Sequence, residues 1–265
     1  MLLFTLGLKI MKLFKKHLST VILIVILAFS LFLRTYNLSS VPLGFHNDEA
    51  SLGYNGYSLL LTGRDENNHK SPLYIDMFGD QRPSGYHYLT ILPIKFLGLN
   101  EFATRLPGAF FGVLMIIPFF FLAQLLFGNK KISLVSSFLL SVAPWSIVLS
   151  RASAETIVAL FFIISGYTLL LAGFQKQRRR YLFVGTGLLI VSFFFYHTPR
   201  VFVPILLIST ILYLYPIWKK YTTNFKIYLL VSFLILSFAA LSLVFLFKGG
   251  SGRFSQVNIF GFPEV

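Results

Sequence analysis

Apolar residues gather in seven long runs, at roughly 18–33, 106–127, 132–149, 156–174, 181–196, 201–217 and 227–247. A helix crosses a bilayer with about 20 mostly apolar residues, within a range of about 17–25. The pattern therefore predicts an all-α polytopic membrane protein of about seven transmembrane helices. The first run is short, and Lys15 and Lys16 compensate by snorkelling at its start. It also carries signal-peptide features: a basic start, an apolar core and a small-residue pattern at Ala28-Phe29-Ser30. Its apolar stretch is longer than a usual signal core, which favours an uncleaved anchor. Met11-Lys12 reads as an alternative start of the chain.

The polar positions between the runs set the orientation. Lys9, Lys12, Lys15 and Lys16, then Lys130 and Lys131, then Lys176 with Arg178–Arg180, then Lys219, Lys220 and Lys226 fall on one side. They make up thirteen of the 23 basic residues, and by the positive-inside rule that side and the N-terminus are cytoplasmic. Residues 34–105 form one large outward segment. It holds Asp48, Glu49, Asp65, Glu66, Asp76, Asp80 and Glu101, seven of the nine acids. Carboxylate chemistry is therefore expected at the outer face.

Within that segment, Ala50, Tyr54, Tyr57 and Leu61 recur on one helical face. Asn47 or Asp48 supplies an N-cap and Gly63 a stop. The expectation is an amphipathic helix lying in the membrane interface. Its start places Asp48 and Glu49 at the positive end of the helix dipole, where a carboxylate stays ionised. The plainer reading makes both residues capping groups only. After Pro83 and Gly85, Tyr88, Leu92 and Phe96 mark a second interfacial helix containing Pro93. Its apolar stretch is too short for a span, and a re-entrant segment is the alternative.

Composition narrows the function. The chain of 265 residues is 56% hydrophobic and 12% charged, with a mean hydropathy of +0.76, about half the charge usual in soluble domains. It has no cysteine, which removes disulfides, thiol nucleophiles and cysteine metal sites. The net charge of +14 is spread between apolar runs rather than gathered in a patch, which argues against nucleic acid binding. No Gly-rich phosphate loop followed by Lys and Ser or Thr is present, so ATP-driven transport is not expected.

Several motifs follow one another in a telling order. Arg34-Thr35-Tyr36 precedes Pro42-Leu43-Gly44, the Asp48-Glu49-Ala50 step and Gly63. Arg82-Pro83-Ser84-Gly85-Tyr86, Phe96-Leu97-Gly98 and the run Asn100 to Gly108, with Glu101-Phe102-Ala103 and Arg105-Leu106-Pro107, come next. Pro144-Trp145 and Ser150-Arg151 complete the set. Over about residues 18–215 this resembles the N-terminal half of the GT-C superfamily of membrane glycosyltransferases. The nearest types are bacterial protein O-mannosyltransferase and aminoarabinose transferase relatives.

The resemblance implies transfer of a sugar from a polyprenyl-phosphate-linked donor to a lipid, protein or glycan acceptor at the outer face of the cell membrane. Asp48 would be the catalytic carboxylate, with Glu49 orienting groups or holding a cation. Arg82 stands where the aminoarabinose transferases often carry Lys before proline; their Lys-Pro-Pro is here Arg82-Pro83-Ser84, which keeps the charge. With Tyr86, His87, Arg34 and Arg105 it is expected to bind substrate. Tyr196-His197-Thr198-Pro199-Arg200 forms the most polar later turn, and Tyr196, His197 and Arg200 are expected to contact carrier or sugar. The plainer readings are a turn, and arginines that meet only membrane lipid headgroups. Arg151 lies beside Glu155, and the two read as an ion pair.

No histidine or carboxylate spacing fixes a metal geometry, so no metal ligand is assigned and a divalent cation stays open. The competing function is a lipid flippase or polysaccharide-export subunit without catalysis. That would want charges inside the spans, whereas here they gather at the rims. Residues 248–265 read as the start of a further outer loop of a truncated chain, within a single membrane domain over 1–265.

Overall fold

The computed structural model describes residues 2–77, 79–153, 155–214, 226–227, 230–232 and 234–239. The order is α1 (Leu2–Thr35), α2 (Asn47–Thr62), β1 (Tyr74–Met77), β2 (Asp80–Pro83), α3 (Gly85–Leu97) and α4 (Glu101–Leu114). Then come α5 (Ile116–Phe127), α6 (Lys130–Val142), α7 (Pro144–Arg151), α8 (Glu155–Lys176), α9 (Arg179–Ser192) and α10 (Pro199–Leu214).

Three segments are long and apolar enough to cross a membrane: His17–Thr35, Glu101–Phe127 and Glu155–Lys176. The pair α6 and α7 makes a fourth if it is one span broken by 52°. The break has a local cause. Pro144 opens α7 and lacks an N–H, and it holds Ala143 in the extended region at φ −60°, ψ 123°.

Of the seven expected spans, three or four meet this test among the described residues. The run at 181–196 becomes α9, whose 14 residues rise only ~21 Å against a hydrocarbon core of ~30 Å. The run at 201–217 becomes the shorter apolar helix α10. The expected span at 227–247 and the segment 248–265 lie wholly or largely outside the described residues.

The fold is not all-α. β1 and β2 form an antiparallel hairpin with Ile75 opposite Arg82 and Met77 opposite Asp80. Gly79 provides the turn at φ +84°, a left-handed conformation that favours glycine. Ile75 and Met77 point inward and are fully buried.

The two helices expected after the first span are present, and their packing is defined. α2 buries Glu49, Leu52, Gly53, Asn55, Gly56 and Leu59 against α3 and α4. Its opposite face, with Tyr54, Tyr57 and Leu61, is exposed, as are Tyr88, Leu92 and Phe96 on α3. One core joins Ile26, Leu52, Ile75, Met77, Tyr86, Met115 and Ile157, so the hairpin and α2–α3 sit on the helix bundle as one body with it. A second cluster packs α8 against α9 and α10 through Leu170, Phe174, Leu182, Leu189 and Val203. Gly166 and Gly185 set that contact. A Cβ on either would stand 2.7 Å from the other's carbonyl oxygen, so only glycine permits this approach.

Candidate active site

The cap of α2 lies one residue before Asn47 and two before Asp48, the expected caps. His46 is the N-cap: its Nδ1 accepts from the Asp48 N–H at 3.3 Å, and its own N–H donates to Glu49 Oε2 at 3.3 Å. An imidazole nitrogen thus does the work usually given to Ser, Asp or Asn. Gly63 ends the helix as expected, at φ 68°, with its N–H on Leu59 O.

This start aims the two carboxylates differently. Glu49 turns inward and is buried. It accepts both arms of the Arg105 fork, Nε at 2.9 Å and Nη2 at 2.8 Å. Arg105 donates its remaining N–H groups to the carbonyls of Leu38 at 3.0 Å, Pro42 at 3.2 Å and Gly44 at 2.7 Å. Asp48 stays half-open, with 36% of its side chain exposed.

Asp48, His46, Glu49 and Leu52 line a cavity of about 530 Å³ together with Pro42–Phe45, Ala152, Ser153 and Glu155. Glu155 enters from the first turn of α8. Ser153, at φ +50°, makes the tight turn that leads into that helix, a conformation uncommon for a residue with a Cβ. At the cavity edge, Arg82 of β2 gathers the acids. Its Nη1 lies 2.9 Å from Asp48 Oδ2 and 3.6 Å from Glu155 Oε1, and its Nε lies 3.1 Å from Asp80 Oδ2. Burial pulls the Arg82 guanidinium's pKa down, but Glu155, Asp80 and Asp48 together push it above its ordinary value, so it is a fixed cation. Among the described residues, no group of three or more His, Asp or Glu side chains is placed to hold a metal ion.

The sequence model of dolichyl-phosphate-mannose-protein mannosyltransferases matches residues 81–245, more than half of the chain. The chain belongs to this family. This is a family of membrane glycosyltransferases within the GT-C superfamily. The match begins at the hairpin strand of Arg82 and takes in Arg105, Glu155, His197 and Arg200. The fold is also that of archaeal oligosaccharyltransferase AglB from Archaeoglobus fulgidus. One AglB structure, solved with an inhibitory peptide and a dolichol-phosphate, aligns at TM-score 0.64 and 15% identity over 88% of this chain and 29% of AglB. The apo oligosaccharyltransferase of the same organism aligns at TM-score 0.65 and 15% identity, over 95% of this chain and 31% of the other. The chain therefore spans about three tenths of the length of these structures. No curated protein matches it.

Of the residues that the sequence singled out in this mannosyltransferase-family chain, Asp48, Glu49 and Arg82 come together at the cavity. The others have different surroundings. Arg34 is fully buried between helices, with Nη1 on Ser30 Oγ at 2.6 Å and Ser141 O at 2.9 Å, Nη2 on Ser146 Oγ at 2.8 Å and Nε on Ser150 Oγ at 3.2 Å. Arg105, described above, has all five N–H groups engaged and none left for a phosphate. Arg151 does not pair with Glu155. It donates instead to the carbonyls of Leu33 at 2.8 Å, Tyr36 at 2.8 Å and Val41 at 2.9 Å. Arg105 and Arg151 thus share one task. The link between α1 and α2 has no strand partner, and its carbonyls need donors, which these guanidiniums supply.

His87 is wholly buried, and burial lowers its pKa to about 3, so it is a neutral core imidazole. Tyr86 is also wholly buried, which raises its pKa. Its hydroxyl donates to Thr104 O at 3.0 Å and accepts from Gly108 N at 3.1 Å. Those two backbone groups are the pair that an unbroken α-helix joins directly. Tyr86→Phe leaves both unsatisfied in the interior, and a loss of about 1–3 kcal/mol is expected, checked by thermal denaturation of the purified protein. His197 and Arg200 stand against the hairpin, Tyr196 lines a separate cavity with Leu149, Thr156 and Phe202, and none of the three is in this cavity's lining. Glu155 is the site residue that the sequence reading missed.

Proposed function

We propose that this chain carries the donor site of a glycosyltransferase that moves a sugar from a polyprenyl-phosphate carrier to an acceptor hydroxyl at the outer face of the membrane. The observation that carries the reading is a single guanidinium, Arg82, held between two cavity-lining carboxylates, Asp48 and Glu155. The reaction needs these two charges. The acceptor oxygen attacks the anomeric carbon while the carbon–oxygen bond to the carrier phosphate breaks. Asp48 takes the acceptor's proton as general base. The bonding pair passes to the phosphate oxygen, where Arg82 meets the developing charge with a fork suited to phosphate. Glu155 keeps Arg82 in place once the donor phosphate has drawn it off Asp48. Glu49 holds the helix start through Arg105, which fixes the approach of Asp48.

The acceptor class is a lipid, a protein or a glycan, and family membership together with the AglB-like fold supports the use of a lipid-linked donor. The proposed steps use the side chains alone.

Arg82→Ala in the full native protein is expected to lower kcat/KM for a radiolabelled polyprenyl-phosphate sugar by about 10²–10³-fold, the scale for removing one charge-stabilising donor. Arg82→Lys is expected to recover part of it, because the charge stays and the fork is lost. Equal transfer by wild type and Arg82→Ala would exclude the reading.

A further inference from the structure

The hairpin that carries Arg82 has only two strands of four residues, and an isolated two-stranded hairpin is at best marginally stable. Its position therefore depends on what it leans on. Three contacts tie it to the turn between α9 and α10. His197 Nε2 bonds Gln81 O at 2.9 Å, on the residue before Arg82. The Arg200 guanidinium lies over the Tyr74 ring, 5.2 Å from its centroid. The N–H of Gly85, just past β2, donates to Phe194 O at 2.9 Å. A Cβ at Gly85 would stand 2.9 Å from the Phe195 ring, so the backbones meet only because this residue is glycine.

His197 is itself set by a neighbour. Arg200 Nη1 donates to its Nδ1 at 3.1 Å. An arginine has no acceptor, so Nδ1 must be the unprotonated nitrogen and Nε2 must carry the hydrogen. That tautomer points its N–H at the Gln81 carbonyl. Arg200 is buried, and its Nη2 is anchored on Phe193 O at 3.1 Å. A chain of defined donors thus runs from the α9 end, through Arg200 and His197, to the backbone beside Arg82.

We infer that His197 is a positioning residue for the donor phosphate site: it holds the Gln81 carbonyl and so sets Arg82 against Asp48 and Glu155. This rests on the reading of Arg82 given above. It assigns His197 an action through Arg82 and none on the sugar or carrier itself.

The test uses the full native protein in lipid nanodiscs with a radiolabelled polyprenyl-phosphate sugar. His197→Phe keeps the ring and removes both polar atoms. It is expected to raise the donor KM about tenfold, the scale of one lost hydrogen bond, with a smaller change in kcat. His197→Gln can accept from Arg200 and donate to Gln81, and is expected to stay within about threefold of wild type.

A double-mutant cycle separates positioning from contact. In an Arg82→Ala background, His197→Phe is expected to add little. Full multiplication of the two losses means that His197 touches substrate, and overturns the proposal. Amide hydrogen exchange gives an answer independent of turnover. Residues 74–83 are expected to exchange faster in His197→Phe while α2 keeps its protection. Unchanged exchange in the hairpin overturns the proposal. Arg82→Ala with an unchanged kcat/KM overturns the reading of Arg82 and this inference with it, whereas the expected Arg82→Ala loss with an additive cycle overturns this inference alone. Should His197→Phe fail to insert, His197→Ala is read by the same two measurements.

Discussion

Asp48→Asn is expected to cost about 10²–10⁴-fold in sugar transfer, the range for a general base, while the protein still inserts and folds. The reason lies in what the substitution keeps. Asn has the same shape and can accept a hydrogen bond from Arg82 through its amide oxygen. It cannot take a proton from the acceptor hydroxyl. Asp80→Asn provides the contrast. Asp80 also bonds Arg82, at 3.1 Å, yet it is not among the cavity's lining residues. If carboxylates matter only by neutralising Arg82, the two substitutions will cost alike. If Asp48 is the base, Asp80→Asn will lose far less. Transfer from radiolabelled polyprenyl-phosphate sugars in membranes, with insertion checked in parallel, decides between them. Undiminished transfer by Asp48→Asn would remove it from the mechanism.

Much of this site was legible because it follows from local rules. A helix starts near Asp48 because apolar residues recur at helical spacing after it, and it stops at Gly63 because a left-handed residue is needed there. The cap was placed one or two residues late because side-chain preferences favour Asn and Asp, whereas an imidazole nitrogen serves here. The hairpin escaped notice for a different reason. Strands of four residues carry too few alternations to stand out, and β1 has only two inward positions, Ile75 and Met77.

The arginines were legible as charges and not as partners. Sequence shows that Arg34, Arg82, Arg105, Arg151 and Arg200 lie near span ends. It does not show which backbone carbonyls of residues 33–44 will lack a donor, and that deficit is what commits Arg105 and Arg151. Arg82 meets Asp48 and Glu155 at the cavity. Glu155 was hidden by its neighbour in sequence, since Arg151 offered a ready ion pair. The turn at Ser153 separates them, sending Arg151 to the α1–α2 link and Glu155 to the cavity.

The second large effect concerns stability. Glu49→Ala leaves the Arg105 guanidinium without its counter-charge in a position with no solvent exposure. Removing one partner of a buried pair costs about 3–5 kcal/mol, a large share of an ordinary folding stability of about 5–15 kcal/mol. Arg105→Met is expected to cost at least as much. It strands the Glu49 carboxylate and also leaves the carbonyls of Leu38, Pro42 and Gly44 without donors. Arg105→Lys should not rescue it, because a single ammonium cannot span a carboxylate and three carbonyls laid out for a planar fork. The double variant Glu49→Leu with Arg105→Met separates the two parts of the loss. It removes the charge imbalance but leaves the carbonyls unsatisfied, so recovery should be partial. Thermal denaturation of the purified proteins in detergent gives the ranking. A Glu49→Ala protein as stable as wild type but inactive would return Glu49 to a direct catalytic role. Full recovery by the double variant would mean that the α1–α2 link finds its hydrogen bonds without Arg105.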